Sequence, residues 1–249
     1  MKDQLFKNAC EKIIDQEKHS NGIGTLSEKT IHAVLKHYCC EDESCHEKKV
    51  SSYVADILIG DEIIEIQTRN FNTMRKKLEA FLPDHQVTIV YPVVHTKWLR
   101  WINEETGEIS APRKSPKTGS FYEIFRELYR IKPYLKHPNL HFKIVRLNVE
   151  EYRILNGWSH DKKRGSTRND GIPVGYVDEL CIDSACDYQK LLPDDLPVPF
   201  TTKDYKKSSR LPQGHAVTAL NILYYMGVVE RVGKQGNAFL YKRIEEKED

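Results

Sequence analysis

Apolar residues recur every three or four positions in the first part of the chain, and this spacing predicts two amphipathic helices. The first covers residues 3–18, and the second runs from Thr25 to about Tyr38. The residues at 39–49 are polar and acidic, with no helical or alternating spacing, so a loop is expected there.

Short apolar runs separated by turn residues then predict strands. The runs 53–60 and 62–68 flank a Gly-Asp turn at 60–61, and glycine at the first turn position suits a type II′ hairpin. A helix at 73–82 and a strand at 86–94, apolar on both faces, come next. The order helix, hairpin, helix, strand predicts an α/β fold in which helices flank a mixed sheet.

The rest of the chain continues this alternation and then changes character near residue 178. The change predicts a boundary between an α/β domain at 1–178 and a small domain at 179–249. The further elements expected are a second hairpin at 98–109, a helix at 121–134, a strand at 140–149, a polar loop at 156–173, helices at 188–196, 202–211 and 215–225, and strands at 228–232 and 238–243.

Composition and charge argue against a membrane protein or a secreted protein but do not indicate a particular binding partner. The net charge is only +2, and 39% of the residues are hydrophobic. No apolar run approaches the roughly 18 residues of a membrane span, so no membrane is expected. The polar N-terminus does not resemble a secretory signal. Six cysteines without such a signal predict reduced thiols and a cytoplasmic protein.

Two acidic residues stand out in the predicted hairpin. Counting from the turn pairs Asp56 with Glu65, with Cβ atoms about 5 Å apart, and places Gln67 and Arg69 on the same face as Glu65. Two opposed carboxylates in apolar strands require a cation, a shared proton or basic partners. Mg²⁺ or Mn²⁺ would satisfy them, and so would a structural ion-pair cluster with Arg69 or a lysine.

The same residues resemble a known family. Asp56, eight intervening residues, and Glu65-Ile66-Gln67 on a second strand, followed by a helix and a strand, resemble the PD-(D/E)XK (restriction-endonuclease-like) superfamily. The resemblance covers about residues 25–95. It implies that Asp56 and Glu65 hold the metal, that the carbonyl of Ile66 adds a ligand, and that Gln67 orients water. It also implies that Glu28, on the first core helix, completes the site.

Gln67 occupies the position of the motif's lysine in a Glu-x-Gln variant. An amide orients water but supplies no charge, so Arg69, Lys76 or Lys77 are candidates to replace that charge. Otherwise these residues are solvated or contact phosphate. For Glu28 the alternative is a capping box, since Thr25-Leu-Ser-Glu28 has that pattern.

Basic residues gather in loops beyond this motif, where they could hold a phosphate backbone or remain solvated. The candidate nucleic-acid contacts are Arg69, Lys76, Lys77, Lys97, Arg113, Lys114, Lys117, Lys162, Lys163 and Arg164.

A separate cluster of cysteine and histidine lies at 37–46. Zinc sites show paired ligands in two clusters, and only one is present, so loop thiols are favoured over structural zinc.

The last part of the chain, with three short helices and two strands around a glycine-rich loop, resembles a winged helix. The helix at 215–225, with Tyr224 among its inward residues, would be the recognition helix, and 233–237 the wing. The resemblance implies DNA binding or, as in many such domains, protein contacts.

Together these features predict a Mg²⁺- or Mn²⁺-dependent DNA endonuclease or a related phosphodiesterase. The alternative is a catalytically inactive protein of nuclease fold that binds nucleic acid or regulates a partner. A third hypothesis is an interaction module that uses both domains. The sequence leaves room for a homodimer.

Overall fold

The computed structural model of the chain describes residues 1–21, 29–156 and 165–244. The α-helices in these ranges are α1 (Lys2–Asn21), α2 (Lys29–Cys39), α3 (Arg75–Phe81), α4 (Phe125–Leu128), α5 (Thr202–Ser209) and α6 (Gln213–Tyr225). Short 3₁₀ helices lie at Glu43–Cys45, Phe71–Met74, Phe121–Ile124, Tyr129–Tyr134 and Cys186–Leu191. The strands are β1 (His46–Val50), β2 (Tyr53–Ile59), β3 (Glu62–Ile66), β4 (Gln86–Asn103), β5 (Arg113–Lys114), β6 (Leu140–Leu155), β7 (Thr167–Ile182), β8 (Val229–Gln235) and β9 (Ala238–Arg243).

The main sheet has the strand order β1-β2-β3-β4-β6-β7, and β5 pairs with β4. The pairs β3–β4 and β4–β6 are parallel, and the other pairs are antiparallel. The α/β class with a mixed sheet flanked by helices is therefore confirmed, and β8 and β9 form a separate small sheet. Within the described ranges, no helix is both long and apolar enough to cross a bilayer.

The main sheet is covered on both faces. Phe6 of α1 and Leu35 of α2 are fully buried against one face, in a cluster that includes the buried Ile64 of β3. Leu78 of α3 and Phe125 of α4 are fully buried against the other. Full burial of such a side chain stabilises the fold by about 1.5–3 kcal/mol, so both helical layers are held by apolar contact.

The predicted hairpin is present with its predicted register. Ile59 pairs with Glu62, and two further pairs follow along β2 and β3. Gly60 has a φ of 61°, whereas Asp61 is not among the residues with positive φ, as a type II′ turn requires. A one-residue shift would have moved every side chain to the opposite face, so this register fixes which residues of the hairpin meet.

Two predicted loops are wrong in part. Residues 46–49, expected in a loop, belong to the edge strand β1, whose polar residues suit a strand with one solvent-exposed edge. The loop expected at 156–173 gives way at residue 167 to β7, which contains Gly171, Pro173 and Gly175. This strand lacks a regular alternation of apolar residues. It is held by backbone pairing with β6, and register shifts interrupt that pairing.

Other boundaries also differ. The first arm of the predicted second hairpin is the continuation of β4, which runs unbroken to Asn103. The predicted start of the second helix at Thr25 lies outside the described residues, and α2 is described from Lys29.

The C-terminal elements have the predicted order: a 3₁₀ helix, α5, α6 and the β8–β9 hairpin. Leu220 and Leu223 of α6 are buried in the same apolar cluster as the residues under α3. The expectation for Tyr224 is wrong, because 46% of this residue is exposed. Strand β7 continues to Ile182, beyond residue 178, and the division into two domains stays a prediction.

Candidate metal and phosphate site

Strands β2 and β3 stop pairing through their backbones after Ile57 and Ile64. The next two residues along the hairpin are Asp56 and Glu65, and their carboxylates take over as hydrogen-bond acceptors. The Ile66 N–H donates to Asp56 Oδ2 at 2.8 Å, and the Asp56 N–H donates to Glu65 Oε1 at 3.4 Å. The two acids therefore lie side by side where the strands separate.

Glu65 is 2% exposed and is paired with Lys77 of α3. The Lys77 ammonium lies 3.0 Å from Oε1 and 2.8 Å from Oε2 of that carboxylate. Burial and the neighbouring charge of Asp56 raise the pKa of Glu65 to about 7, although Lys77 opposes the shift. One lysine thus provides the positive charge that two close acids require, and it is one of the residues that the sequence named for that purpose.

Asp56 faces a histidine from the opposite helical layer. Nε2 of His32, on α2, lies 3.1 Å from Asp56 Oδ2. Burial pushes the pKa of Asp56 upward, but His32, the Ile66 N–H and Lys77 outweigh it, so the pKa lies below its usual value. Asp56 therefore remains ionised beside Glu65, whose pKa is raised.

His32 was not predicted as a site residue. The sequence places it on the sheet-facing side of the second helix, next to apolar residues that pack inward, and a histidine at such a position is more often a core residue. The contact with Asp56 could have identified this histidine. That contact can be recognised only once the position of α2 over the end of β2 is known.

Gln67 follows Glu65 by two residues, but its amide is engaged elsewhere. Nε2 donates to the carbonyl of Arg69 and to Oγ1 of Thr73, the latter at 3.2 Å. The backbone N–H of Gln67 donates to the carbonyl of Val90 at 2.9 Å. These bonds order the turn that leads from β3 into the 3₁₀ helix before α3, and so help to fix the approach of Lys77.

Lys97, another predicted contact, lies apart from this pair of acids. Lys97 lies seven residues beyond Val90 along β4, roughly 23 Å at about 3.3 Å per residue. It pairs at 2.6 Å with Glu151, which is 1% exposed. Exposed positions are held by Arg69, Lys76, Arg113, Lys114 and Lys117. The candidates outside the described residues are Glu28, Lys162, Lys163 and Arg164.

The cysteine and histidine cluster surrounds the 3₁₀ helix Glu43–Cys45. The thiol of Cys45 is 3.9 Å from Asp42 Oδ2, and His46 Nε2 lies 2.9 Å from the carbonyl of Cys40. In the described part of the chain, no three side chains of His, Cys, Asp or Glu converge as metal ligands. A metal at Asp56 and Glu65 would therefore take its other ligands from the backbone, water or substrate.

Comparison with known proteins places this geometry in a family without assigned activity. A protein of Treponema pallidum (strain Nichols), described as an uncharacterized protein, is 35% identical over 147 residues. The matched part covers 59% of this chain and 56% of that relative, so the chain spans about half the length of the relative it matches. No solved structure matches. The family described as a domain of unknown function, DUF8091, matches residues 29–183, which include both acids, His32 and Lys77, and the chain belongs to this family.

Proposed function

We propose that this protein is a metal-dependent nuclease that hydrolyses the phosphodiester backbone of DNA. The observation that carries the proposal is the pair formed by Asp56 and Glu65 where β2 and β3 separate, with Lys77 against Glu65. Two adjacent carboxylates can hold a divalent ion, and a lysine can stabilise the charge on a reacting phosphate.

The donor set fits a hard divalent cation. Mg²⁺ binds through one or two carboxylates and keeps water or phosphate oxygens as its remaining ligands. Asp56 and Glu65 would hold the ion, and the carbonyl of Ile66, the residue after Glu65, is the backbone ligand that the resemblance implies. The ion would supply activation of water and charge stabilisation at the leaving oxygen.

The other residues act through their charge and position. Lys77 would move from Glu65 to the substrate phosphate once a cation neutralises the acids, and so replace the missing lysine at position 67. His32 orients Asp56 through the contact at 3.1 Å. Gln67, bonded to Thr73, holds the turn before α3, and its predicted role in orienting water stays a prediction.

DNA is the proposed partner, and exposed Arg113, Lys114 and Lys117 would contact its phosphates. We place the activity in the cytoplasm, where thiols stay reduced, because Cys10, Cys39, Cys40, Cys45 and Cys181 are free thiols.

One observation favours the second candidate, a protein of the same fold that binds nucleic acid without cutting it. Lys77 contacts both oxygens of Glu65, which leaves this acid already neutralised. In a protein that binds without cutting, Lys77 would stay paired with Glu65 and take the place of the metal ion.

A cleavage assay with Mg²⁺ or Mn²⁺ on single-stranded, double-stranded and branched DNA separates the two. Glu65→Gln and Asp56→Asn keep the shape of each side chain and remove its charge, and we expect each to lower cleavage at least 100-fold. Lys77→Ala should lower cleavage about 10- to 100-fold, whereas the control Lys12→Ala, which breaks the pair with Glu43, should not.

Metal binding provides a second measurement that does not depend on cleavage. Mn²⁺ at millimolar concentration should raise the melting temperature of the parent and leave that of Glu65→Gln unchanged, because a ligand stabilises only the state that binds it. A parent protein that cuts none of the three DNAs and gains no stability from Mn²⁺ would sink the nuclease proposal.

A further inference from the structure

The β8–β9 hairpin carries a group of cations fixed by aromatic rings. In β8, all residues after Val229 are exposed. The Arg231 guanidinium carbon lies 4.5 Å from the ring centre of Tyr224 and 4.0 Å from that of Phe239. The Lys234 ammonium lies 5.0 Å from the same Phe239 ring. We call these four residues the cation–aromatic face.

The stacking leaves the charged groups of this face available. A ring contact holds the plane of a guanidinium but uses none of its five N–H donors. Among the residues that the structure describes, Arg231 and Lys234 contact no carboxylate within 4.0 Å, in contrast to Lys77 and Lys97. Arg231 is therefore a positioned donor group whose partner is not within the described protein.

Charge points to an anionic partner. Segment 229–243 contains four basic residues and one acidic residue. Cross-strand pairs put Arg231 beside Tyr241, and Glu230 beside Lys242. Because side chains alternate along a strand, Arg231 and the acidic Glu230 lie on opposite faces of the hairpin. A register shift between Arg231 and Gly233 brings Lys234, which pairs with Phe239, onto the face of Arg231. The cation–aromatic face therefore carries basic side chains, and a chain of phosphates complements it.

The aromatic rings indicate which form of nucleic acid fits. Tyr224 is 46% exposed, and Phe239 is partly buried, so ring surface is available to an unpaired base. Helix α6, which carries Tyr224, contains no lysine or arginine, so it has no cationic side chain for a duplex backbone. Stacking surface beside isolated cations is the arrangement that single strands use.

We infer that the cation–aromatic face binds single-stranded nucleic acid, with Arg231 and Lys234 on phosphates and Tyr224 against a base. This binding is independent of hydrolysis at Asp56 and Glu65. It gives the protein a second contact with nucleic acid on a different sheet from the acids.

The test is fluorescence anisotropy with a labelled 20-nucleotide single strand and the matching duplex, in a chelator that prevents cleavage. Arg231→Ala should weaken single-strand binding five- to tenfold and reduce the dependence of log Kd on log salt by about one. Arg231→Lys keeps the charge but lacks the planar group of N–H donors, so its Kd should lie between those of the parent and Arg231→Ala. Lys242→Ala removes the same charge from the opposite face and should change Kd less than twofold.

Three outcomes would overturn the inference: equal losses for Arg231→Ala and Lys242→Ala, tighter binding of the duplex than of the single strand, or equally tight, Arg231-dependent binding of a poly-glutamate peptide. Unchanged melting temperatures of the variants establish that their losses are not unfolding. Cleavage without Arg231-dependent binding would overturn this inference alone, and binding without cleavage would overturn only the nuclease proposal.

Discussion

Glu65 is the residue at which burial and charge oppose each other most directly. It is almost fully buried, it lies beside the ionised Asp56, and one lysine contacts it. Its neighbour keeps a low pKa because a histidine and a backbone N–H favour its charged form. Two carboxylates in adjacent positions therefore differ in protonation near neutral pH, which is the condition for dividing roles between them.

This difference predicts how stability depends on pH. The pKa of Glu65 is about 7 in the folded protein, against an ordinary 4.5. The folded state holds the proton more tightly, so the stabilisation is complete below about pH 4.5 and is lost as pH rises through about 7. Relative to Glu65→Gln, the parent's free energy of unfolding should fall by up to about 3 kcal/mol between pH 5 and pH 8, at about 1.4 kcal/mol per pKa unit.

Urea unfolding of both proteins across this pH range measures the difference. Glu41→Gln, which changes an exposed carboxyl group, serves as the control and should track the parent. A gap between parent and Glu65→Gln that stays constant with pH would contradict the raised pKa.

At the scale of elements, the hairpin turn positions both acids. Gly60 has a φ of 61°, and a Cβ added there would meet nothing within 4 Å. A substitution therefore costs only backbone strain, about 1–2 kcal/mol for most residues and less for asparagine. We expect Gly60→Ala to lower the free energy of unfolding by about 1 kcal/mol and Gly60→Asn to lower it by less.

Chemical denaturation of the two variants tests this order. Equal losses would show that lost contacts, and not the left-handed backbone, set the cost at this turn.

The same hairpin shows what a sequence can predict. Its register follows from the turn and from alternation, both local properties, so the neighbours Asp56 and Glu65 could be inferred by counting. Lys77 could be named but not placed, since its contact depends on how α3 packs against the sheet. His32 could not be identified, because it reaches Asp56 from a different layer.

Strands without their own apolar pattern could not be predicted either. β1 is polar because it lies at an edge, and β7 carries Gly171 and Pro173 yet is held by pairing with β6. Both strands depend on a neighbouring strand, and the spacing of apolar residues within a segment does not show which strand will pair with it.

At the scale of the molecule, one apolar cluster joins the main sheet to the C-terminal helices. Leu220 of α6 is 1% exposed within a cluster that also contains Leu78 and Phe125. Such continuous packing favours a single cooperative unfolding transition. Leu220→Ala should lower the free energy of unfolding by about 2–4 kcal/mol, because it leaves a cavity in shared packing.

The tryptophans provide the measurement, since all three lie at positions 98–158, far along the chain from α6. Tryptophan fluorescence and circular dichroism should shift to the same new midpoint in Leu220→Ala. The exposed neighbour Val217→Ala is the control and should cost less than about 0.5 kcal/mol. A fluorescence midpoint that does not move would show that the C-terminal elements unfold on their own.

The acids at the point where β2 and β3 separate also connect the two helical layers across the sheet. One acid holds α2 through His32, and the other holds α3 through Lys77. Amide hydrogen exchange in α2 and in α3 would therefore report on this site separately. Neutralising Glu65 should loosen the attachment of α3, and so speed exchange there, while the attachment of α2 through His32 stays in place. A cation that competes for these acids, or a phosphate that competes for Lys77 and His32, would therefore affect both helical layers, through two attachments that can be released one at a time.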